Sequence, residues 1–169
     1  YLDDNNQPYP VVFISFPSAK DPSWDKNHPN TSTIEVITVA EFSKHKKWEN
    51  EEWKNRGDEY EAFKETISQN LLKVLYQKSP ETNGHVDYYE LSTPLTSRDL
   101  ANYKEGELYG INHTPVRFSQ KWLKPQTPIK NLYLTGQDIV TAGVSAALMS
   151  GVITSSSILK RNLMQQFLN

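Results

Sequence analysis

The sequence contains no cysteine and little methionine or glycine. Its 169 residues include two Met and seven Gly. Without thiols there can be no disulfides, no thiolate metal ligands and no cysteine nucleophile. Charge of one sign is not in excess either, because 18 basic and 20 acidic side chains give a net charge of −2. Nucleic-acid binding is therefore disfavoured, since neutralising phosphates needs a basic surplus.

Common catalytic signatures are missing as well. The sequence has no G-x-S-x-G elbow, no P-loop and no G-x-G-x-x-G string. The histidines show no metal-ligand spacing, and each is expected on the surface or in a loop. They are His28, His45, His85 and His113. No metal site is predicted, and no catalytic acid or base can be assigned.

Apolar residues make up 37% of the chain, and they are concentrated near its C-terminal end. Between residues 131 and 159 the only charged side chain is Asp138. Residues 139–159 form an uncharged run of 21, which reaches the length of a membrane span. Seven of these residues are Ser or Thr, and this favours a long buried helix instead.

Hydrophobic periodicity and turn residues predict the regular elements. The predicted strands are 11–16, 33–40, 85–91 and 132–135, and the predicted helices are 40–55, 58–78 and 141–167. The helix over 58–78 has the clearest pattern, and Asp58 followed by Glu61 resembles a capping box.

The predicted strand, turn and helix at 132–167 form a chemically distinctive unit. Gly136 permits a tight turn, Asp138 stands alone in it, and the helix opens around Gly143. The free N–H groups and positive dipole of a helix start suit an anion or an electron-rich oxygen. Asp138 could accept from a sugar or polyol hydroxyl. Ordinary turn formation or capping is the alternative role for Asp138.

Small residues also recur every four positions on this predicted helix. They are Gly143, Ala147, Gly151 and Ser155. Such a face lets a flat group, either a sheet or a ring system, approach the backbone closely. Ordinary helix–sheet packing explains the same pattern.

Five segments carry a resemblance to a known family. They are Phe13–Ser18, Tyr88–Thr96, Gly106–Gly110, Asn131–Asp138 (NLYLTGQD) and Thr141–Leu148 (TAGVSAAL). Together, and in this order, they resemble the retinol saturase and carotenoid isomerase family. Its members are FAD-dependent oxidoreductases related to bacterial phytoene desaturases.

The resemblance implies a set of site residues. The residues implied to bind FAD are Gly136, Gln137, Asp138, Gly143, Val144 and Ser145. Asp138 matches the acidic residue that binds the ribityl or pyrophosphate part, and the helix opening matches the backbone that approaches the flavin ring. Tyr109 and Gly110 match a stretch expected near the flavin and the substrate.

The resemblance also implies the organisation of the chain. Residues 1–100 are expected to be part of a substrate-binding domain, and residues 101–169 the return into an FAD-binding domain. The expected fold class is α+β: a substrate-domain sheet with covering helices, plus the last strand and helix of an α/β FAD-binding domain. The family's G-x-G-x-x-G unit is absent and residue 1 is Tyr. The chain is therefore interpreted as a C-terminal portion without its N-terminal dinucleotide-binding half.

Several functional expectations follow. The whole protein is expected to saturate, desaturate or isomerise a hydrophobic retinoid or carotenoid. The chain alone is expected to be inactive, to bind FAD weakly or not at all, and to self-associate. A cytoplasmic location or a peripheral contact with a membrane is expected, without secretion. The alternatives are a non-catalytic α+β binding module and another flavoenzyme of the same broad fold, such as an amine oxidase.

Overall fold

A computed structural model describes residues 9–167, and the chain divides into two units, Tyr1–Gly106 and Glu107–Asn169. The first unit contains β1 (Val12–Ser15), α1 (Trp24–Asn27), β2 (Glu35–Thr38), α2 (Gly57–Lys78) and α3 (Pro94–Ala101). The second contains α4 (Pro115–Phe118), α5 (Val144–Leu159) and α6 (Met164–Phe167). The observed division lies shortly after the predicted boundary between residues 100 and 101.

Strands β1 and β2 form an antiparallel pair. Val12 lies opposite Thr38 and Ser15 lies opposite Glu35. Both strands were predicted, and both are shorter than the predicted ranges 11–16 and 33–40. Both strands are rich in β-branched residues, which suit the pleated surface of a sheet. Ser15 is the most buried residue of β1.

Helix α2 is the longest element, and it confirms the prediction for residues 58–78. Its buried apolar residues recur on one face: Tyr60, Leu71, Val74 and Leu75. The expected capping box is wrong. The helix begins one residue earlier, at Gly57, and it has no side-chain hydrogen bond at its N-cap.

One cluster in the core of the first unit contains Trp48, Tyr60 and Leu95. The Trp48 and Tyr60 rings meet edge-on with centroids 5.1 Å apart. The helix predicted over 40–55 is instead a 3₁₀ helix, Phe42–Trp48, which delivers Trp48 to this core. His45, expected on the surface, is 3% exposed and packs against the Phe63 ring.

Polar contacts attach α3 to this core. The Tyr60 hydroxyl lies 2.7 Å from Thr93 Oγ1, and Thr93 forms a capping box with Thr96 at the start of α3. The buried Arg56 side chain donates to the Asp99 carboxylate at 2.5 Å. Burying a guanidinium is tolerated when it is paired in this way.

The strand predicted over residues 85–91 is wrong. This segment has no strand pairing in the described part of the chain, so its backbone cannot form a ladder. Its side chains bind α2 instead, and the Tyr89 hydroxyl donates to Glu65 Oε1 at 2.7 Å. This hydrogen bond lowers the pKa of the Glu65 carboxyl and raises the pKa of the Tyr89 phenol.

Two predicted elements of the second unit also need correction. The strand predicted over 132–135 is reduced to one bridge, between Gln126 and Tyr133. Among residues 9–167 no strand pairs with the rest of this segment. The helix predicted over 141–167 is two helices, α5 and α6. Gly143, with φ +104°, delays the start of α5, and Lys160, with φ +51°, ends it in a left-handed cap.

The uncharged run within residues 139–159 does not produce a helix suited to crossing a membrane. In the described part of the chain no helix combines the length and the apolar character that a span requires.

Candidate functional site

Two glycines set the shape of the segment 136–143, here called the glycine turn. Gly136 has φ +101° and Gly143 has φ +104°. These backbone conformations favour glycine. A Cβ atom at either position would meet nothing within 4 Å. The backbone is therefore open at both ends of the turn, and the prediction that a ligand approaches it at Gly143 stays a prediction.

The start of α5 leaves its backbone donors available. Gly143 is the N-cap residue, and no side chain caps the helix. Val144 is 88% exposed and Ser145 is exposed. Unsatisfied N–H groups in a first helical turn carry partial positive charge and suit an anion or an electron-rich oxygen.

Ser150 attaches the glycine turn to α5. The Gly136 N–H donates to Ser150 Oγ at 2.7 Å, and the hydroxyl donates to the Ala147 carbonyl at 2.6 Å. Ser150 is fully buried. Four residues later, the Thr154 hydroxyl donates to the Leu134 carbonyl at 2.9 Å. Together these bonds fix where the turn begins.

Replacement of Ser150 by alanine should lower the free energy of unfolding of the second unit by about 0.5–1.5 kcal/mol, because it leaves the partly buried Gly136 N–H without its acceptor. Thermal or denaturant unfolding measures this change. Ser157→Ala is the matched control, because among residues 9–167 the Ser157 hydroxyl bonds only the Ile153 carbonyl of its own helix. Equal effects of the two substitutions would contradict the assigned role of Ser150.

The buried face of α5 differs from the predicted stripe of small residues. Ala146, Ser150 and Thr154 are buried. Gly143 and Ala147 are exposed, and Gly151 and Ser155 are only partly buried. A flat partner for the stripe of small residues therefore stays a prediction.

Tyr109 and Gly110, which the resemblance matches to the substrate, begin the segment 109–113, here called the tyrosine loop, and this loop contacts the glycine turn. The Ile111 N–H donates to Asp138 Oδ1 at 3.0 Å. Gly110 has φ +70°, and a Cβ atom there would lie 2.0 Å from the same oxygen. A side chain at this position would therefore displace the Asp138 carboxylate. The structure thus brings together Gly110 and Asp138, which the sequence assigned to separate roles.

Tyr109 occupies an unfavourable backbone conformation. Its φ is +73°, in the left-handed region, which costs a non-glycine residue about 1–2 kcal/mol. Its side chain is 58% exposed. Two residues later, the Ile111 main chain is held by hydrogen bonds to Asp138 and Arg117.

Arg117 of α4 joins the two segments, and the sequence did not single it out. It is 4% exposed. Its Nη1 donates to the Ile111 carbonyl at 2.6 Å, and its Nη2 donates to the Gln137 and Asp138 carbonyls, each at 3.0 Å. One planar guanidinium therefore binds the main chain of both the tyrosine loop and the glycine turn.

His113 makes a further contact across the two segments. Its Nε2 accepts from the Ala142 N–H at 2.9 Å, and Arg117 Nη1 lies 2.9 Å from the same atom. A backbone N–H can only donate, so Nε2 must carry a lone pair. His113 is an exposed loop residue, as expected, and it also connects the main chain at Ala142 with the Arg117 guanidinium.

A signal for Arg117 is present in the sequence. Thr114-Pro115 is typical of a helix start, and the Thr114 hydroxyl accepts from the Arg117 N–H at 3.3 Å. A helix beginning there places Arg117 in its first turn. Its distant carbonyl partners have no comparable signature, because every residue has a carbonyl.

Comparison with curated proteins identifies clear relatives. The chain is 39% identical over 157 residues to the all-trans-retinol 13,14-reductase of Rattus norvegicus and 36% identical over 157 residues to that of Danio rerio. Each match covers 91% of the chain and 26% of the relative. An inactive all-trans-retinol 13,14-reductase of Danio rerio is 33% identical over 157 residues. The chain thus spans about a quarter of the length of these relatives. No protein-family model and no solved structure matches it.

Proposed function

Because the chain belongs to the family of the all-trans-retinol 13,14-reductases, we propose that it is the C-terminal portion of an FAD-dependent oxidoreductase that reduces a carbon–carbon double bond of a retinoid. The observation that carries the proposal is 36–39% identity over 91% of the chain. A hydrophobic isoprenoid is the substrate class, and a carotenoid is the alternative within it.

The geometry of the second unit supports a common site for cofactor and substrate. The resemblance assigns the tyrosine loop to the substrate and the glycine turn to the cofactor. Ile111 and Asp138 are joined by a hydrogen bond, and Arg117 binds the main chain on both sides. The residues proposed to contact the substrate and those proposed to contact the cofactor are therefore joined by the same hydrogen bonds.

The described residues are compatible with FAD. Gly136 and Gly143 leave open space where a side chain would lie, and the start of α5 has no side-chain cap. Asp138 Oδ1 is used by Ile111, and Oδ2 can accept from a polyol hydroxyl. Gly136, Gln137, Asp138, Gly143, Val144 and Ser145 are the residues proposed to hold the cofactor.

The cofactor, when bound, supplies the electron and hydride chemistry. The residues of this chain would orient it. The first N–H groups of α5 bind electron-rich oxygen, and the Asp138 carboxylate binds a hydroxyl. Tyr109 in the tyrosine loop and Val144 at the start of α5 are exposed, and their apolar surfaces suit a hydrophobic substrate or ring system.

Replacement of Asp138 by asparagine in the full-length protein should weaken FAD binding about 10–100-fold, because a hydrogen bond to a carboxylate contributes about 1.5–3 kcal/mol. Asparagine keeps one acceptor oxygen for the Ile111 N–H, so hydrogen exchange at that amide should change little. Titration of flavin fluorescence measures the affinity. Asp138→Ala should weaken binding and also expose the Ile111 amide.

The pair of Asp138 variants separates two roles of the carboxylate. If Asp138→Asn binds FAD as the unaltered protein does, the carboxylate serves only the contact with Ile111. Asp25→Asn, at an exposed site in the first unit, controls for the loss of one negative charge.

The activity is tested with the full-length protein and purified all-trans-retinol or a carotenoid. The proposal expects loss of one substrate double bond, detected by mass spectrometry as a gain of two hydrogens. Since one relative is named inactive, substrate binding and turnover are measured separately. Failure to bind either polyene would contradict the proposed substrate class.

The assignment of the two units is part of the same proposal. The first unit is proposed to belong to a substrate-binding domain, and the second to the return into an FAD-binding domain of an α+β protein. The chain alone is proposed to be inactive and to self-associate, and light scattering of the purified chain tests the association. The missing dinucleotide-binding half is its proposed intramolecular partner.

A further inference from the structure

Arg117 is an unusual buried cation. It is 4% exposed, and in the part of the chain that the structure describes no carboxylate lies within ion-pair distance of it. Its partners are main-chain carbonyls and His113. Buried charges are normally paired with an opposite charge. Even a paired buried charge often contributes no more to folding stability than well-packed apolar residues in the same place.

The bonding of Arg117 is also incomplete. Its Nε is buried and has no hydrogen-bond partner among the described residues. An unpaired buried donor costs about 1–3 kcal/mol. Departures of this kind from the best arrangement for stability are expected mainly at functional sites. An arginine at this position is therefore better explained by a functional role than by its contribution to packing.

The carbonyls that Arg117 binds lie on both sides of the proposed site. Ile111 follows Gly110 in the tyrosine loop, whereas Gln137 and Asp138 lie in the glycine turn. Arg117 binds each of them within 3.0 Å. The planar fork fixes the separation of these backbones as well as their contact.

The contacts around Arg117 extend to the start of α5. His113 lies against its guanidinium and accepts from the Ala142 N–H, two residues before α5 begins. The left-handed backbone of Tyr109, the Asp138 carboxylate and the first turn of α5 are all connected to this one side chain. Each of them is a proposed ligand contact.

We propose that Arg117 is a positioning residue, which together with His113 fixes the tyrosine loop against the glycine turn and so sets the geometry of the cofactor and substrate contacts. The inference rests on the proposed function of this site. Arg117 touches neither ligand, and it acts through Tyr109, Asp138 and the start of α5.

Lysine should not be able to perform the role of Arg117. An ammonium is a compact point charge, and it cannot reproduce a planar fork that binds separated carbonyls. Arg117→Lys and Arg117→Ala, made in the full-length protein, should raise the hydrogen-exchange rates of the Ile111 and Ala142 amides about 10–100-fold, as expected when hydrogen bonds to a charged group are lost. Amides in the last turns of α5 should change much less.

Chemical rescue tests whether the guanidinium group itself holds the two segments together, and flavin affinity measured in the same samples tests whether this positions the cofactor contacts. Guanidinium ion, added well below denaturing concentrations, should restore protection of the Ile111 amide in Arg117→Ala, whereas methylammonium should not. Arg161→Ala is the matched control, since Arg161 is exposed in the same unit. His113→Gln keeps an acceptor for the Ala142 N–H and should be milder than His113→Ala.

The readouts separate this inference from the proposed function. Flavin affinity, followed by fluorescence, should fall in Arg117→Lys about as far as in Asp138→Asn. If the unaltered protein binds no flavin, the proposed function fails, and amide exchange still decides the role of Arg117. Uniform loss of protection across α5, or exchange at Ile111 equal to that in Arg161→Ala, would overturn the inference.

Discussion

Replacement of Leu95 by alanine should lower the free energy of unfolding of the first unit by about 2–5 kcal/mol. Leu95 is fully buried and contacts the core that contains Trp48 and Tyr60. Truncation removes apolar contacts and leaves a cavity, and the edge-on aromatic pair beside it has little freedom to fill that cavity. Alanine is a good helix former, so the helix propensity of α3 is not the cause of the loss.

Leu100→Ala provides the matched control for this substitution. Leu100 lies on the same helix and is 62% exposed, so its truncation should change the free energy of unfolding by less than about 0.5 kcal/mol. Denaturant unfolding followed by far-ultraviolet circular dichroism, which reports on α2, measures both variants. Similar midpoints for the two would show that Leu95 is not central to the core.

The first unit shows which parts of the fold are readable from local pattern. The helix over 58–78 was predicted because its apolar residues repeat at helical spacing over several turns. The strand over 85–91 was predicted from composition alone, and it failed because a strand requires a neighbour. Tyr89 instead finds its partner, Glu65, on the side of α2. Pairing partners are a tertiary property, and a local pattern does not contain them.

The candidate site divides in a similar way. Asp138 and Gly143 were singled out because an isolated charge and a glycine at a helix start are visible in a sequence, whereas Gly110 came from the family resemblance. Arg117 was missed because its partners are carbonyls about twenty residues away. The histidines were assessed by metal-ligand spacing. That criterion does not detect the role of His113, which accepts a hydrogen bond from a backbone N–H.

Replacement of Gly110 by alanine should be the most damaging small change at the site. The left-handed backbone costs about 1–2 kcal/mol and a forced contact about 1–3 kcal/mol, which gives a total of about 2–5 kcal/mol. The contact arises because the new Cβ atom would lie 2.0 Å from Asp138 Oδ1. Gly84→Ala is the matched control, since φ is +83° there and the Cβ atom meets nothing within 4 Å. Local unfolding free energies from hydrogen exchange measure both.

A double-mutant cycle assigns the cause of the Gly110→Ala effect. In an Asp138→Ala background the clashing oxygen is gone, so Gly110→Ala should cost only the backbone term of about 1–2 kcal/mol. The two substitutions together should therefore cost less than the sum of the separate effects, by about 1–3 kcal/mol. Strict additivity would mean that the tyrosine loop does not rest on the Asp138 carboxylate. Coupling of the expected sign would show that the carboxylate assigned to the cofactor also shapes the loop assigned to the substrate.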